Sequence, residues 1–116
     1  MEKLFDFSHK WNNKLECDYF TTLRMSGNHQ VGDVGLITLK HQALFIGEIV
    51  AKNELKLYAQ PSPYLDLIAY LDTGYNWQET VNIIKKMYHI ENTTGKIFYQ
   101  YLIHKTKHKI QEATIL

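Results

Sequence analysis

The stretch Tyr19–Val34, YFTTLRMSGNHQVGDV, decides how the rest of the chain is read. Phe20, Thr21, Thr22 and Leu23 are aromatic, β-branched or aliphatic, which suits a pleated, half-buried strand, and Arg24 stands at its end, where a cation can face an open cleft. Ser26-Gly27-Asn28 is a loop of turn formers, and Val31-Gly32-Asp33 punctuates the chain again before a second apolar run begins at Val34. Thr21 and Thr22 point to opposite faces of such a strand. Thr22 is the one expected in the cleft, because it shares a face with Arg24.

Outward from this stretch, Val34 to Leu39 reads as the next strand, Lys40-His41-Gln42 as a tight connection, Ala43 to Val50 as a third strand, and the alternating Leu55 to Ala59 as a fourth. Upstream, residues 1 to 7 mix apolar and charged types, and Ser8 is placed to cap a short helix in which Trp11 and Leu15 share the buried face. Downstream, Gln60-Pro61-Ser62-Pro63 stops strand pairing, because proline donates no ladder hydrogen bond. Tyr64, Leu67, Ile68 and Leu71 then fall at helical spacing, ending at Asp72-Thr73-Gly74. A second helix follows, capped by Asn76 and striped by Trp77, Val81, Ile84 and Tyr88. After the polar loop Glu91 to Gly95, Ile97 to Ile103 reads as an aromatic-rich strand that closes the sheet. The expected domain is 1–103, with 104–116 a polar tail or short helix.

The chain of 116 residues is long enough to bury a core without disulfides or metals. Its 45% hydrophobic and 22% charged content is that of a globular protein, and a net charge of +1 argues against a nucleic-acid-coating or acidic tail. The lone Cys17 fits a reducing, cytoplasmic setting and reads as a small buried residue. The N-terminus has acids and no long apolar core, so no signal peptide is expected, and no run reaches the roughly 18 apolar residues of a membrane span.

The order Phe20-Thr21-Thr22-Leu23-Arg24, then Val31-Gly32-Asp33, then Leu71-Asp72-Thr73-Gly74-Tyr75 followed by a helix from Glu79 to Tyr88, resembles the ASCH family of the PUA-like superfamily across roughly residues 5 to 103. The resemblance implies an α+β fold: a small mixed β-barrel of about five to six strands, flanked by helices, with a cleft near the end of the motif strand. It implies RNA-associated binding and, for some small bacterial members, an amidohydrolase that removes an acyl group from a modified cytidine. Those hydrolases use a lysine, a threonine and a glutamate. Here Tyr19 stands at the lysine position, Thr22 matches the threonine, and the carboxylate falls near Asp72 or Thr73. Tyrosine replaces the amine poorly, so the leading expectation is a non-catalytic module binding RNA or a nucleotide-like ligand. The alternatives are a hydrolase with Thr22 as nucleophile and Asp72 as partner, and a non-catalytic protein-interaction domain.

The expected ligand-binding set is Thr22, Arg24, Asp72, Gly74, Tyr75 and Asn76. Arg24 offers a planar fork to phosphate or carboxylate; the competing reading is an internal ion pair with Glu48, Glu79 or Asp72. The Thr73 to Asn76 turn precedes a helix and would offer free N–H groups to an anion, unless it is simply a capped corner. Glu79 reads as the partner of the Asn76 cap rather than a base. Tyr19, Tyr75 and Tyr99 are the stacking candidates, while Trp77 and Tyr88 read as core. Lys105, Lys107 and Lys109 form a possible nucleic-acid patch within what otherwise reads as a solvated tail. Six histidines without an HExxH pattern or a cysteine partner give no expected metal, and no cofactor motif is present.

Overall fold

The computed structural model describes residues 1–9 and 11–106, without the side chain of Trp11. Five strands form one curled half-barrel sheet in the order β1-β3-β4-β5-β2: β1 (Lys3–Phe7), β2 (Tyr19–Arg24), β3 (Val34–Leu39), β4 (Gln42–Lys56) and β5 (Ile97–Lys105). Two helices, α1 (Pro63–Thr73) and α2 (Trp77–Met87), lie between β4 and β5 in the chain. The β1–β3 pair is parallel and the other pairs are antiparallel.

Strand β4 is the spine. It runs unbroken where two strands were expected, because the polar stretch Ala51 to Glu54 continues the ladder opposite Tyr99 to Leu102 instead of turning. Its first half pairs with β3 and its second with β5, and register shifts between Ile49 and Ala51 on the β5 side and between Ile37 and Thr38 on the β3 side add the local twist that curls the sheet. The turn Lys40-His41 has both residues at positive φ, the geometry that joins twisted antiparallel strands tightly.

Curling separates two cores. Phe5, Phe7, Leu15, Phe20, Ile37, Ile49, Tyr101 and Ile103 fill the inside of the half-barrel. Leu55, Leu57 and Phe98 on the other side receive Leu65, Ile68 and Ala69 of α1 and Trp77, Val81 and Ile84 of α2.

Other elements also depart from expectation. Residues 3–7 form β1, whose Phe5 and Phe7 alternate with Asp6 and enter the barrel core. The segment Trp11–Glu16 is 3₁₀ rather than a regular helix, since Asn12 and Asn13 adopt left-handed φ of 57° and 52°, and this turns Lys14 inward beside Leu15. In α1 only Ile68 of the four residues at the expected spacing is buried; the helix instead buries Leu65, Ile68, Ala69, Asp72 and Thr73. The β5 ladder also continues through His104 and Lys105, beyond the expected end of the domain at 103. Cys17 is exposed rather than buried.

The caps follow the sequence closely. Ser62 accepts a hydrogen bond from Leu65 N–H, Pro63 opens α1, and Gly74 closes it at φ 83° with its N–H on Tyr70 O. Asn76 accepts from Glu79 N–H at the start of α2.

Gly47 of β4 lies against the barrel core. A Cβ there would stand 2.8 Å from Ile103 Cγ2 and 2.9 Å from Ile37 Cγ1, and both isoleucines are fully buried. Gly47→Ala is expected to lower stability by about 1–3 kcal/mol in a denaturant titration, as overpacking of a filled core does.

Candidate functional site

The sheet leaves β1 and β2 as its two edges, and the curl brings them face to face. Arg24 spans the seam between them. Its Nε donates to Thr22 Oγ1 at 3.0 Å and its Nη2 donates to the Asp6 carbonyl of β1 at 3.0 Å, while the guanidinium lies 4.7 Å from the ring centroids of both Phe5 and Phe7. A cation over two aromatic faces, bonded to an otherwise unladdered edge carbonyl, staples the half-barrel where no backbone ladder does. None of the ion pairs among the described residues involves Arg24, so the expected competition from Glu48, Glu79 or Asp72 does not arise. Burial draws the guanidinium below its ordinary value, opposed by Tyr88, Asp72 and Asp6.

Behind the staple, Lys14 Nζ donates to Asp72 Oδ1 at 2.8 Å, and both side chains are only 5% exposed. Thr21 Oγ1 donates to the same oxygen at 3.1 Å. The two threonines thus divide as strand alternation requires: Thr22 faces the barrel interior with Arg24, and Thr21 faces α1. Burial draws the Lys14 ammonium below its ordinary value, and the charge and hydrogen bond of Asp72 oppose that shift. Asp72 sits at the C-terminal end of α1, where the helix dipole disfavours a carboxylate, so Lys14 compensates both the burial and the dipole.

These groups line a cavity of about 80 Å³, walled by Asp6, Phe7, Thr22 and Arg24 on the strand side and by Asp72, Ile84 and Tyr88 on the helix side. The space suits one small anionic group or the edge of a planar ring. Tyr88 also borders a wider, open groove of about 700 Å³ that reaches Met25, His89 and Lys96. The two spaces adjoin through that tyrosine.

Of the six residues expected to bind ligand, Thr22, Arg24 and Asp72 meet here. Gly74, Tyr75 and Asn76 do not line the cavity. Three N–H groups at their turn are taken up internally: Gly74 N–H by Tyr70 O, Tyr75 N–H by Thr73 Oγ1, and Trp77 N–H by Asp66 Oδ1. The turn is a capped corner. Tyr19 stacks on His104 at 4.3 Å, and Tyr99 lies under Gly27 with Lys52 over its ring, so neither enters the cavity. Lys105 lies over Phe45 at 4.5 Å, while Lys107 and Lys109 fall outside the described residues. Among the described residues, no three His, Cys, Asp or Glu side chains converge as a metal site would require. Among the described residues, no helix is long and apolar enough to cross a membrane.

Lys14 is the site residue the sequence concealed. It sits in an ordinary polar stretch, WNNKLE, and only the adjacent asparagines, tolerant of left-handed φ, hint that the chain turns there. No family model matches the chain, and neither curated proteins nor solved structures yield a match.

Two predictions follow from this geometry. Lys14→Met leaves Asp72 buried without its cation and is expected to cost about 3–5 kcal/mol, whereas the double change Lys14→Met with Asp72→Leu recovers most of it, as paired denaturant titrations would record. Asp6 accepts from the Thr38 hydroxyl and from His41 N–H at 2.8 Å, and the Thr38 bond is the main cause holding its carboxyl below the ordinary 3.8. A lowered folded-state pKa gives stability that is complete above the ordinary value and is lost as pH falls through the lowered one. Asp6→Asn should therefore flatten the acid limb of the stability profile below about pH 4 and leave its shape near neutrality unchanged.

Proposed function

We propose that the chain is a PUA-like binding module of the ASCH type whose cleft receives the anionic group of a nucleotide-like ligand, free or within RNA. The observation that carries this reading is the state of Arg24. It is fixed in orientation by Thr22 and the Asp6 carbonyl, is paired to no carboxylate, and has no hydrogen bond at Nη1 among the described residues. A preoriented guanidinium with an unused edge is suited to phosphate or carboxylate. The small cavity would take the charged group, and the open groove past Tyr88 would take the base or the next nucleotide, by stacking or contact.

A hydrolase acting on an acylated cytidine is the second reading, and Lys14 favours it. Tyr19, which occupies the motif's lysine position, points away, yet an amine enters the same cleft from the 3₁₀ segment beside Asp72. That amine, however, is engaged by Asp72 at 2.8 Å rather than hydrogen-bonded to Thr22, whose hydroxyl accepts from Arg24, and this weighs for binding over turnover.

A thermal-shift screen separates the two. Nucleoside monophosphates and short single-stranded RNA are expected to raise Tm in a salt-sensitive way, with uncharged nucleosides giving little shift. Arg24→Lys, which keeps the charge and loses the fork, should weaken the response roughly tenfold. This variant is preferable to Arg24→Ala, which would also open the barrel seam. Equal shifts from uncharged nucleosides, or insensitivity to salt, would overturn the assignment. Steady release of acetate from acetylated cytidine, abolished in Thr22→Val, would establish the hydrolase instead.

A further inference from the structure

The solvent face of α1 carries no charge. Tyr64, Leu67, Tyr70 and Leu71 are 65%, 60%, 50% and 60% exposed, and the two acids of the helix are turned elsewhere: Asp66 accepts from Trp77 N–H and Asp72 is buried on Lys14. Tyr64, Leu67 and Leu71 fall at i, i+3 and i+7, one continuous stripe of the kind that packs against another helix. The neighbouring helix shows the contrast, since α2 turns Gln78, Glu79, Asn82 and Lys86 to solvent.

Charge narrows what can cover this stripe. The chain has no lysine or arginine between Lys56 and Lys85, so α1 lacks the cations that an amphipathic helix needs on an anionic membrane or that a nucleic-acid surface needs for phosphate. An uncharged apolar stripe is also self-complementary. Set against its own copy about a two-fold axis, it brings no like charges together. The four side chains present on the order of 500 Å², most of the ~800 Å² per partner of a stable interface, which leaves a modest polar rim to be supplied by their surroundings.

We propose that the chain forms a two-fold symmetric homodimer through α1, with Tyr64, Leu67 and Leu71 of one copy packed against the same residues of the other. None of Tyr64, Leu67 and Leu71 lines the cavity, so the dimer leaves the cleft open and stands independently of what the cleft binds.

Sedimentation velocity over a wide range of protein concentration tests it. The full chain is expected to rise from the mass of one chain towards twice that mass. Leu67→Glu should weaken association on the order of a hundredfold or more, by placing two carboxylates in an apolar seam. Because Leu67 is exposed in the single chain, the variant should keep the far-UV spectrum and the melting temperature of dilute wild-type protein; Leu71→Glu serves as the independent second variant. A wild-type chain that stays monomeric throughout would overturn the proposal, as would association unchanged in both variants. A monomer that instead binds phosphatidylcholine vesicles would reassign the face to lipid.

Discussion

The buried pair of Lys14 and Asp72 is the constraint on which the arrangement of the other elements turns. It joins the 3₁₀ segment after β1 to the end of α1, and it fixes the rotation of that helix about its own axis. The sequence of α1 contains two competing stripes. Tyr64, Leu67, Ile68 and Leu71 form the more apolar one, and Leu65, Ile68, Ala69 and Asp72 the one that is buried. Hydrophobicity alone favours the first. The second prevails because Asp72 finds a cation and Thr73 Oγ1 lies 2.8 Å from Thr80 Oγ1, which locks α1 against α2. Specific polar contacts thus override the larger apolar stripe and leave it facing solvent.

Arg24 solves a different problem with the same economy. A five-stranded sheet too short to close on itself has two edges, and each edge exposes backbone groups that attract another strand. The curl imposed by β4 brings β1 and β2 together without a ladder between them, and the guanidinium bridges the gap by bonding the Asp6 carbonyl and covering Phe5 and Phe7. The fork is used unevenly: Nε and Nη2 hold the seam, while Nη1 makes no hydrogen bond among the described residues.

How far the sequence disclosed this depends on whether the deciding contacts were local. Val34–Leu39, the Lys40-His41 turn, both proline-led and asparagine-led helix starts, and the Trp77, Val81, Ile84 stripe follow from neighbours in the chain, and they were legible. Strand β1 carried a readable Phe5-Asp6-Phe7 alternation, but it is short and its partner is a parallel strand far along the chain. The continuity of β4 was hidden because Lys52, Asn53 and Glu54 look like a turn until β5 lies opposite them. In the cleft, Thr22 and Arg24 were legible from strand alternation and Asp72 from motif order. Lys14 was not, since nothing near it in sequence indicates that its ammonium is buried.

The net charge of the chain says little about its cleft because the charges there are settled one by one. Lys14 and Asp72 cancel each other. The Asp6 carboxylate is held by Thr38 and the His41 N–H on the far side of β1, while its backbone carbonyl receives Arg24. Among the groups that line the cavity, Arg24 is therefore the full charge balanced by no carboxylate at ion-pair distance, and it sits in a partly dehydrated seam where a charge interacts more strongly than it does in water. A nearly neutral protein can in this way present one oriented cation in a cavity that the Asp6 and Asp72 carboxylates also line. The arginine that closes the barrel, rather than any basic surface, is the cation aimed into the cavity.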